Sequence, residues 1–166
     1  MVYKREAKVL FVGHGDTSRA LIAAALANDL GQGYMTARAV GLQPEPLSPE
    51  MRHGLRALGL DALQPGLELL DASDLAWADL LVTLDAAAAR ACPILPAWVQ
   101  TRCYAYAPPE SVESLRPLFE ALRQRVWHVG WDGDDRLSTI SLSVLKISVI
   151  MPKFEQYGAQ LKSDKN

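Results

Sequence analysis

The stretch KVLFVGHGDTSRALIAAAL, residues 8–26, decides how the fold begins. Its apolar run Val9–Val12 is typical of a strand buried on both faces. A glycine-containing polar loop follows, and apolar residues then recur at helical spacing as far as Leu30, before Gly31. The stretch predicts a strand, a loop at its carboxyl end and a helix.

The same alternation continues along the chain. Residues 34–42 predict a second strand. The next helix is marked at both ends, since Ser48 is placed to cap it, Pro49 suits its first turn and Gly59 suits its end. Residues further on predict two more strands, at 79–84 and 102–107, a short helix between them and a long helix after them. Strands that alternate with helices indicate an α/β fold with a parallel sheet, helices on both faces and ligands beyond the carboxyl ends of the strands.

Composition narrows the range of functions. The 166 residues include 17 basic and 19 acidic ones, a net charge of −2, which gives no general electrostatic case for nucleic acid or membrane partners. No apolar run approaches the roughly 20 residues that span a bilayer, and no signal peptide is evident. Two cysteines, Cys92 and Cys103, do not form a metal-binding pattern. We therefore expect a cytoplasmic protein without metal or cofactor.

The C-terminal segment, residues 131–166, does not continue the pattern. DGDD at 132–135 predicts a turn or linker, and apolar residues then alternate with serines before the alternation changes phase. We interpret the segment as an extension that adds a strand with a bulge and ends in a frayed terminus, beyond a domain of residues 1–130. Its apolar part, 137–150, either pairs with its own sheet or forms a homodimer contact.

The loop between the first strand and helix has features of an anion site. Backbone N–H groups at a helix N-terminus point outward, glycines allow close approach, and an arginine offers a bidentate donor. The alternative is an ordinary strand–helix turn with an N-cap. The candidate anion-binding residues are Gly13, His14, Gly15, Asp16, Thr17, Ser18 and Arg19.

This loop resembles the phosphate-binding loop of low-molecular-weight protein tyrosine phosphatases and thioredoxin-coupled arsenate reductases. There a V-L-F-V strand leads into C-x5-R and a helix. Residues 57–62 and the segment ADLLVTLDAAAARACPILP at 78–96 are also similar to the family, so that the likeness covers about residues 7–129. The resemblance implies a three-layer α/β/α, flavodoxin-like domain with a four-stranded parallel sheet, and a small oxyanion or phosphorylated ligand.

Most of the family's reactive positions differ in this chain. The nucleophilic cysteine falls at Gly13 and the second loop cysteine at Ser18, while Ala107 stands where the aspartic acid of the D-P motif would be. Of the two further redox cysteines of arsenate reductases, the first falls at Asp85 and only the second matches, as Cys92. The resemblance therefore implies a catalytically inactive relative that uses its loop for binding or regulation, and we assign no catalytic residue.

The aspartate at position 16 leaves two alternatives for the role of the loop. It stands where the family has asparagine, so its carboxylate would repel an anion unless it were protonated or paired with Arg19 or His14. An internal Asp16–Arg19 ion pair would instead stabilise the loop without a ligand. Two rival functions stay open: an enzyme that uses His14, Asp16 or Asp85 in place of cysteine, and a structural or partner-binding module. Cys103, on a predicted strand, is expected to be a buried and inert thiol.

Overall fold

The computed structural model describes residues 6–60 and 67–129, with side chains described as far as residue 126. The chain divides into two units, Met1–Trp127 and His128–Asn166, and the elements below belong to the first, except for the end of the last helix. The predicted extension, with its added strand and frayed end, lies outside the described residues.

The described part of the chain forms one parallel sheet of five strands. Their order across the sheet is β3-β2-β1-β4-β5, and every neighbouring pair is parallel. The strands are β1 (Ala7–Gly15), β2 (Met35–Pro44), β3 (Glu68–Leu69), β4 (Leu80–Thr83) and β5 (Gln100–Cys103). The predicted α/β class and parallel sheet are confirmed.

The expectation of four strands was one strand too few. The additional β3 has only two residues, both exposed, and pairs with Val40 and Gly41 at the edge of the sheet. A two-residue exposed strand carries no apolar alternation that could reveal it in the sequence. The fourth predicted strand, 102–107, is also displaced, since β5 ends at Cys103.

Five helices connect or follow the strands in the described residues. They are α1 (Ser18–Leu30), α2 (Pro49–Ala57), α3 (Ala72–Trp77), α4 (Ala86–Ala91) and α5 (Val112–Val129). The predicted ends of α2 are confirmed: the Ser48 side chain accepts a hydrogen bond from the Met51 N–H at 3.1 Å, and Gly59 has a φ of 81° just beyond the helix.

The packing of the core determines where the loop after β1 lies. The four residues Val9–Val12 are at most 2% exposed, and β1 lies between β2 and β4 at the centre of the sheet. Helix α1 is buried along most of its length because its alanines allow close packing. The loop thus joins a central strand to a buried helix at the carboxyl edge of the sheet.

Candidate functional site

The loop is shorter than the sequence suggests. Strand β1 continues through Gly15, with Gly13 paired to Gly41 and Gly15 paired to Pro44, and the register shifts between the two pairs. Gly15 has a φ of 75°, a conformation that glycine adopts without steric cost. Only Asp16 and Thr17 lie between strand and helix. The seven candidate residues therefore lie on three elements: the end of β1, a two-residue link and the start of α1.

Asp16 accepts hydrogen bonds at the start of α1. Its carboxylate takes the Ser18 hydroxyl at 2.8 and 2.9 Å and the backbone N–H of Arg19 at 3.4 Å. Thr17, the N-cap residue, makes no side-chain capping bond, and its hydroxyl instead donates to the backbone oxygen of Glu45. A negative charge is stabilised at a helix N-terminus by the helix dipole and by unsatisfied N–H groups. Asp16 thus uses donors that a bound oxyanion would need.

Arg19 is buried, with 4% of its surface exposed, and all three of its guanidinium nitrogens have partners within the chain. Nε donates to Asp16 Oδ2 at 3.0 Å, and one terminal nitrogen donates to the backbone oxygen of Tyr106 at 2.6 Å. The other terminal nitrogen lies 3.5 Å from Asp85 Oδ2. A buried cation needs such compensation. Of the two alternatives for Asp16, the structure therefore contains the internal ion pair.

Asp85 joins the loop to α4. It is 8% exposed and is the N-cap of α4, where its Oδ1 accepts the Ala88 N–H at 2.6 Å. Its Oδ2 also accepts the backbone N–H of His14 at 3.3 Å, in addition to facing Arg19. An aspartate before an alanine run is itself an N-cap signal, but its contact with Arg19 could not be predicted. The contact of Arg19 with the backbone carbonyl of Tyr106 could not be predicted either, because every residue has a backbone carbonyl.

The charge of the cluster does not favour an anion. Two carboxylates, Asp16 and Asp85, face the single guanidinium of Arg19, which leaves one excess negative charge. A phosphate placed beside Arg19 would meet both carboxylates at close range. An anion must therefore displace or neutralise a carboxylate in order to use Arg19.

A side chain at position 13 would lie in tight contact with the link in this loop conformation. A Cβ atom built on Gly13 would lie 3.0 Å from the backbone oxygen of Asp16 and 3.7 Å from the Ala20 Cβ. The first distance is tighter than ordinary packing allows, so a side chain at Gly13 would push the link outward. The loop thus lacks the reactive group, and adding a side chain at Gly13 would require a small shift of the Asp16 backbone.

The remaining candidate groups do not form a second reactive site in the described residues. The Ser18 hydroxyl is fully buried and donates to Asp16, in agreement with a structural role. His14 is partly exposed, and its backbone rather than its ring contacts Asp85. Ala107 is exposed in the segment after β5, and no acid stands at this position. The structure thus brings Asp16, Asp85 and Arg19 together.

The burial of one of the two cysteines differs from the expectation. Cys103 is exposed, not buried, because β5 is an edge strand. Cys92 is half-buried, and burial together with the charge of the nearby Cys103 raises the pKa of its thiol.

The part of the chain that the structure describes contains neither a metal-binding cluster nor a membrane-spanning helix. No group of three or more His, Cys, Asp or Glu side chains there is arranged to hold a metal ion. None of the helices in that same part of the chain has the length and apolar character needed to cross a bilayer.

Comparisons with known proteins give fold-level matches. No protein-family model matches the sequence, and no curated protein matches it. Among solved structures, the YwlE arginine phosphatase from Geobacillus stearothermophilus matches with a TM-score of 0.60 and 18% identity, over 86% of this chain and 96% of that one. A low-molecular-weight protein tyrosine phosphatase from T. tengcongensis matches with a TM-score of 0.60 and 20% identity, over 75% of this chain and 97% of that one.

An arsenate reductase in the phosphate-binding state is also similar. Its TM-score is 0.57 and its identity 18%, over 81% of this chain and 99% of that one. The α/β architecture with its parallel sheet agrees with these matches, and the resemblance inferred from the sequence is confirmed for the fold. The chain therefore has the fold of the low-molecular-weight tyrosine phosphatases and arsenate reductases.

Proposed function

We propose that the protein is a catalytically inactive relative of these phosphatases and reductases that works by binding. In this proposal the loop 13–19 holds its own carboxylate, Asp16, at the anion position. A small oxyanion or a phosphorylated ligand binds there only by displacing that carboxylate from Arg19. The observation that carries the proposal is that every guanidinium nitrogen of Arg19 is already bound by the chain.

Inactivity follows from what the site lacks. Cysteine-based phosphoryl or arsenate chemistry needs a nucleophile that attacks phosphorus or arsenic, and glycine at position 13 offers no side chain. Ser18 cannot replace it readily, because its hydroxyl is buried and donates to the Asp16 carboxylate, which is itself engaged by Arg19. Ala107 supplies no proton to a leaving group.

An enzyme that uses other groups has less support. Asp16 and Asp85 both face Arg19, and Asp85 additionally caps α4, so each carboxylate already has a structural role. A general acid or base must reach the substrate within hydrogen-bonding distance, which these engaged carboxylates could do only after the cluster opened.

A turnover assay tests inactivity. Purified full-length protein is incubated with an aryl phosphate, and separately with arsenate and a thioredoxin system, beside an Arg19→Ala variant and an Arg90→Ala control at an exposed position of α4. We expect no turnover above background in any of the three proteins. Turnover that is lost in Arg19→Ala but kept in Arg90→Ala would refute the proposal, since a contaminating enzyme would not follow Arg19.

A phosphate titration tests binding independently of turnover. By calorimetry we expect weak phosphate binding to the wild type and none to Arg19→Ala. Equal phosphate affinities in these two proteins would exclude the loop as the anion site.

A further inference from the structure

Cys92 lies against the core on one face of the sheet. It directly follows α4 and packs against a cluster of buried residues that includes Leu81 of β4 and Val99. The thiol is half-buried, so the sulfur is shielded from solvent but is not enclosed. Its position is therefore fixed by packing and by the end of the helix.

Cys103 lies on the same face of the sheet. It is the last residue of β5 and pairs in register with Thr83, while Thr101 pairs with Leu81. Paired residues of neighbouring strands point to the same face, and so do residues two apart on one strand. Cys103 thus shares the face of Leu81, a member of the cluster against which Cys92 packs, but it is exposed because it lies at the edge of the sheet.

The two thiols also interact electrostatically. Burial raises the pKa of Cys92, and the charge of the Cys103 thiolate raises it further. The shared face of the sheet and the packing of Cys92 place the two thiols on one side of the sheet, with Cys103 accessible and Cys92 shielded.

We propose that Cys92 and Cys103 form an intramolecular disulfide when the protein meets a hydroperoxide. The exposed Cys103 thiolate attacks the peroxide and becomes a sulfenic acid, while the peroxide is reduced to an alcohol or water. The Cys92 sulfur then attacks the Cys103 sulfur, forms the S–S bond and displaces the hydroxyl group as water. Overall, two thiols lose two electrons and two protons, and the hydroperoxide takes them up.

This pairing fits the chemistry of the two positions. Access favours Cys103 as the first thiol to react, since only thiols that a solute can reach are oxidised readily. Cys92, with its raised pKa, is suited to react second, when its partner is already held beside it as a sulfenic acid. The bond would connect the end of α4 to the end of β5 and would close a loop with ten residues, 93–102, between the two cysteines.

Peptide mapping of the full-length protein tests the proposal. The protein is treated with hydrogen peroxide, blocked with a maleimide, digested with trypsin without reduction and analysed by mass spectrometry. Cleavage after Arg90 and Arg102 places the two cysteines in different peptides. We expect these peptides to be cross-linked in the monomeric protein, to separate on reduction, and the maleimide labelling of Cys92 to fall about tenfold.

Two variants define the order of reaction. In Cys103→Ser, Cys92 should keep its maleimide labelling after peroxide, because no accessible partner reacts first. In Cys92→Ala, Cys103 should accumulate as a sulfenic acid that dimedone traps. The proposal is overturned if wild-type Cys103 is oxidised while Cys92 stays fully labelled, or if the cross-link joins only two separate chains. The wild-type mapping decides this even if a variant folds poorly.

Discussion

Replacing Asp85 should destabilise the protein, because one side chain serves three partners. Its carboxylate caps α4 through Ala88, accepts the His14 N–H and faces the buried Arg19. Loss of an N-cap costs about 1 kcal/mol. Removing one partner of a buried ion pair costs about 3–5 kcal/mol when no other partner is left, and Arg19 keeps Asp16, so we assign about half of that cost.

For Asp85→Ala these contributions sum to a loss of about 3 kcal/mol in the free energy of unfolding. Asp85→Asn separates them, since asparagine can still cap α4 but carries no charge, and it should lose about 2 kcal/mol. Asp71→Ala, which removes the exposed N-cap of α3, serves as a control for capping alone and should lose less stability than Asp85→Ala.

Urea denaturation followed by circular dichroism measures these differences. If Asp85→Ala loses no more than Asp71→Ala, Asp85 acts only as a helix cap. The inference that it compensates the buried Arg19 would then be refuted.

Three further predictions concern other positions. Gly13→Cys should show no aryl phosphatase activity. It should also lose about 1–2 kcal/mol in the free energy of unfolding in urea, because a Cβ atom there lies 3.0 Å from the Asp16 backbone oxygen. Measurable turnover by this variant would show that the missing thiol alone explains inactivity. Ser48→Ala should lose about 1 kcal/mol in the same assay, since it removes the α2 cap, and an unchanged unfolding midpoint would contradict this assignment. Hydrogen bonds from Ser73 and Asp74 lower the pKa of Asp71, so the stabilising effect of the Asp71 carboxylate should be present above pH 3.8 and lost as the pH falls through the folded-state pKa. Asp71→Asn should flatten that part of the curve of stability against pH, and an unchanged curve would contradict this prediction.

The sequence predicted the elements whose signals are local. The apolar runs of β1 and β4 gave buried strands, and the Ser48–Pro49 start of α2 is present as expected. Strand β3 was missed because two exposed residues leave no pattern. The extension of β1 through Gly15 was missed because glycine favours turns, and its pairing with Gly41 and Pro44 of β2 outweighs that preference.

In the candidate site too, contacts between residues close in sequence could be predicted, and contacts between distant residues could not. The Asp16–Arg19 pair could be foreseen as an alternative, since the two residues are three apart at a helix start. The contact of Arg19 with Tyr106, 87 residues away, depends on how strands and loops come together. Cys103 was expected to be buried because its strand was not recognised as an edge strand. Local chemistry was thus accessible from the sequence, whereas the closure of the loop by distant groups was not.

Phosphate affinity in an Asp16→Asn variant tests the central claim, that the loop is occupied by its own carboxylate. Asparagine removes the competing charge but keeps a similar shape, and Asp71→Asn provides a matched control at an exposed cap. If the carboxylate blocks the anion position, removing one charge near Arg19 should strengthen phosphate binding by at least about tenfold in calorimetry. Two unit charges about 4 Å apart interact by about 4 kcal/mol at an effective dielectric constant of about 20, and a tenfold change in affinity needs about 1.4 kcal/mol. The control should bind like the wild type. Equal phosphate affinities in Asp16→Asn and the wild type would contradict the claim.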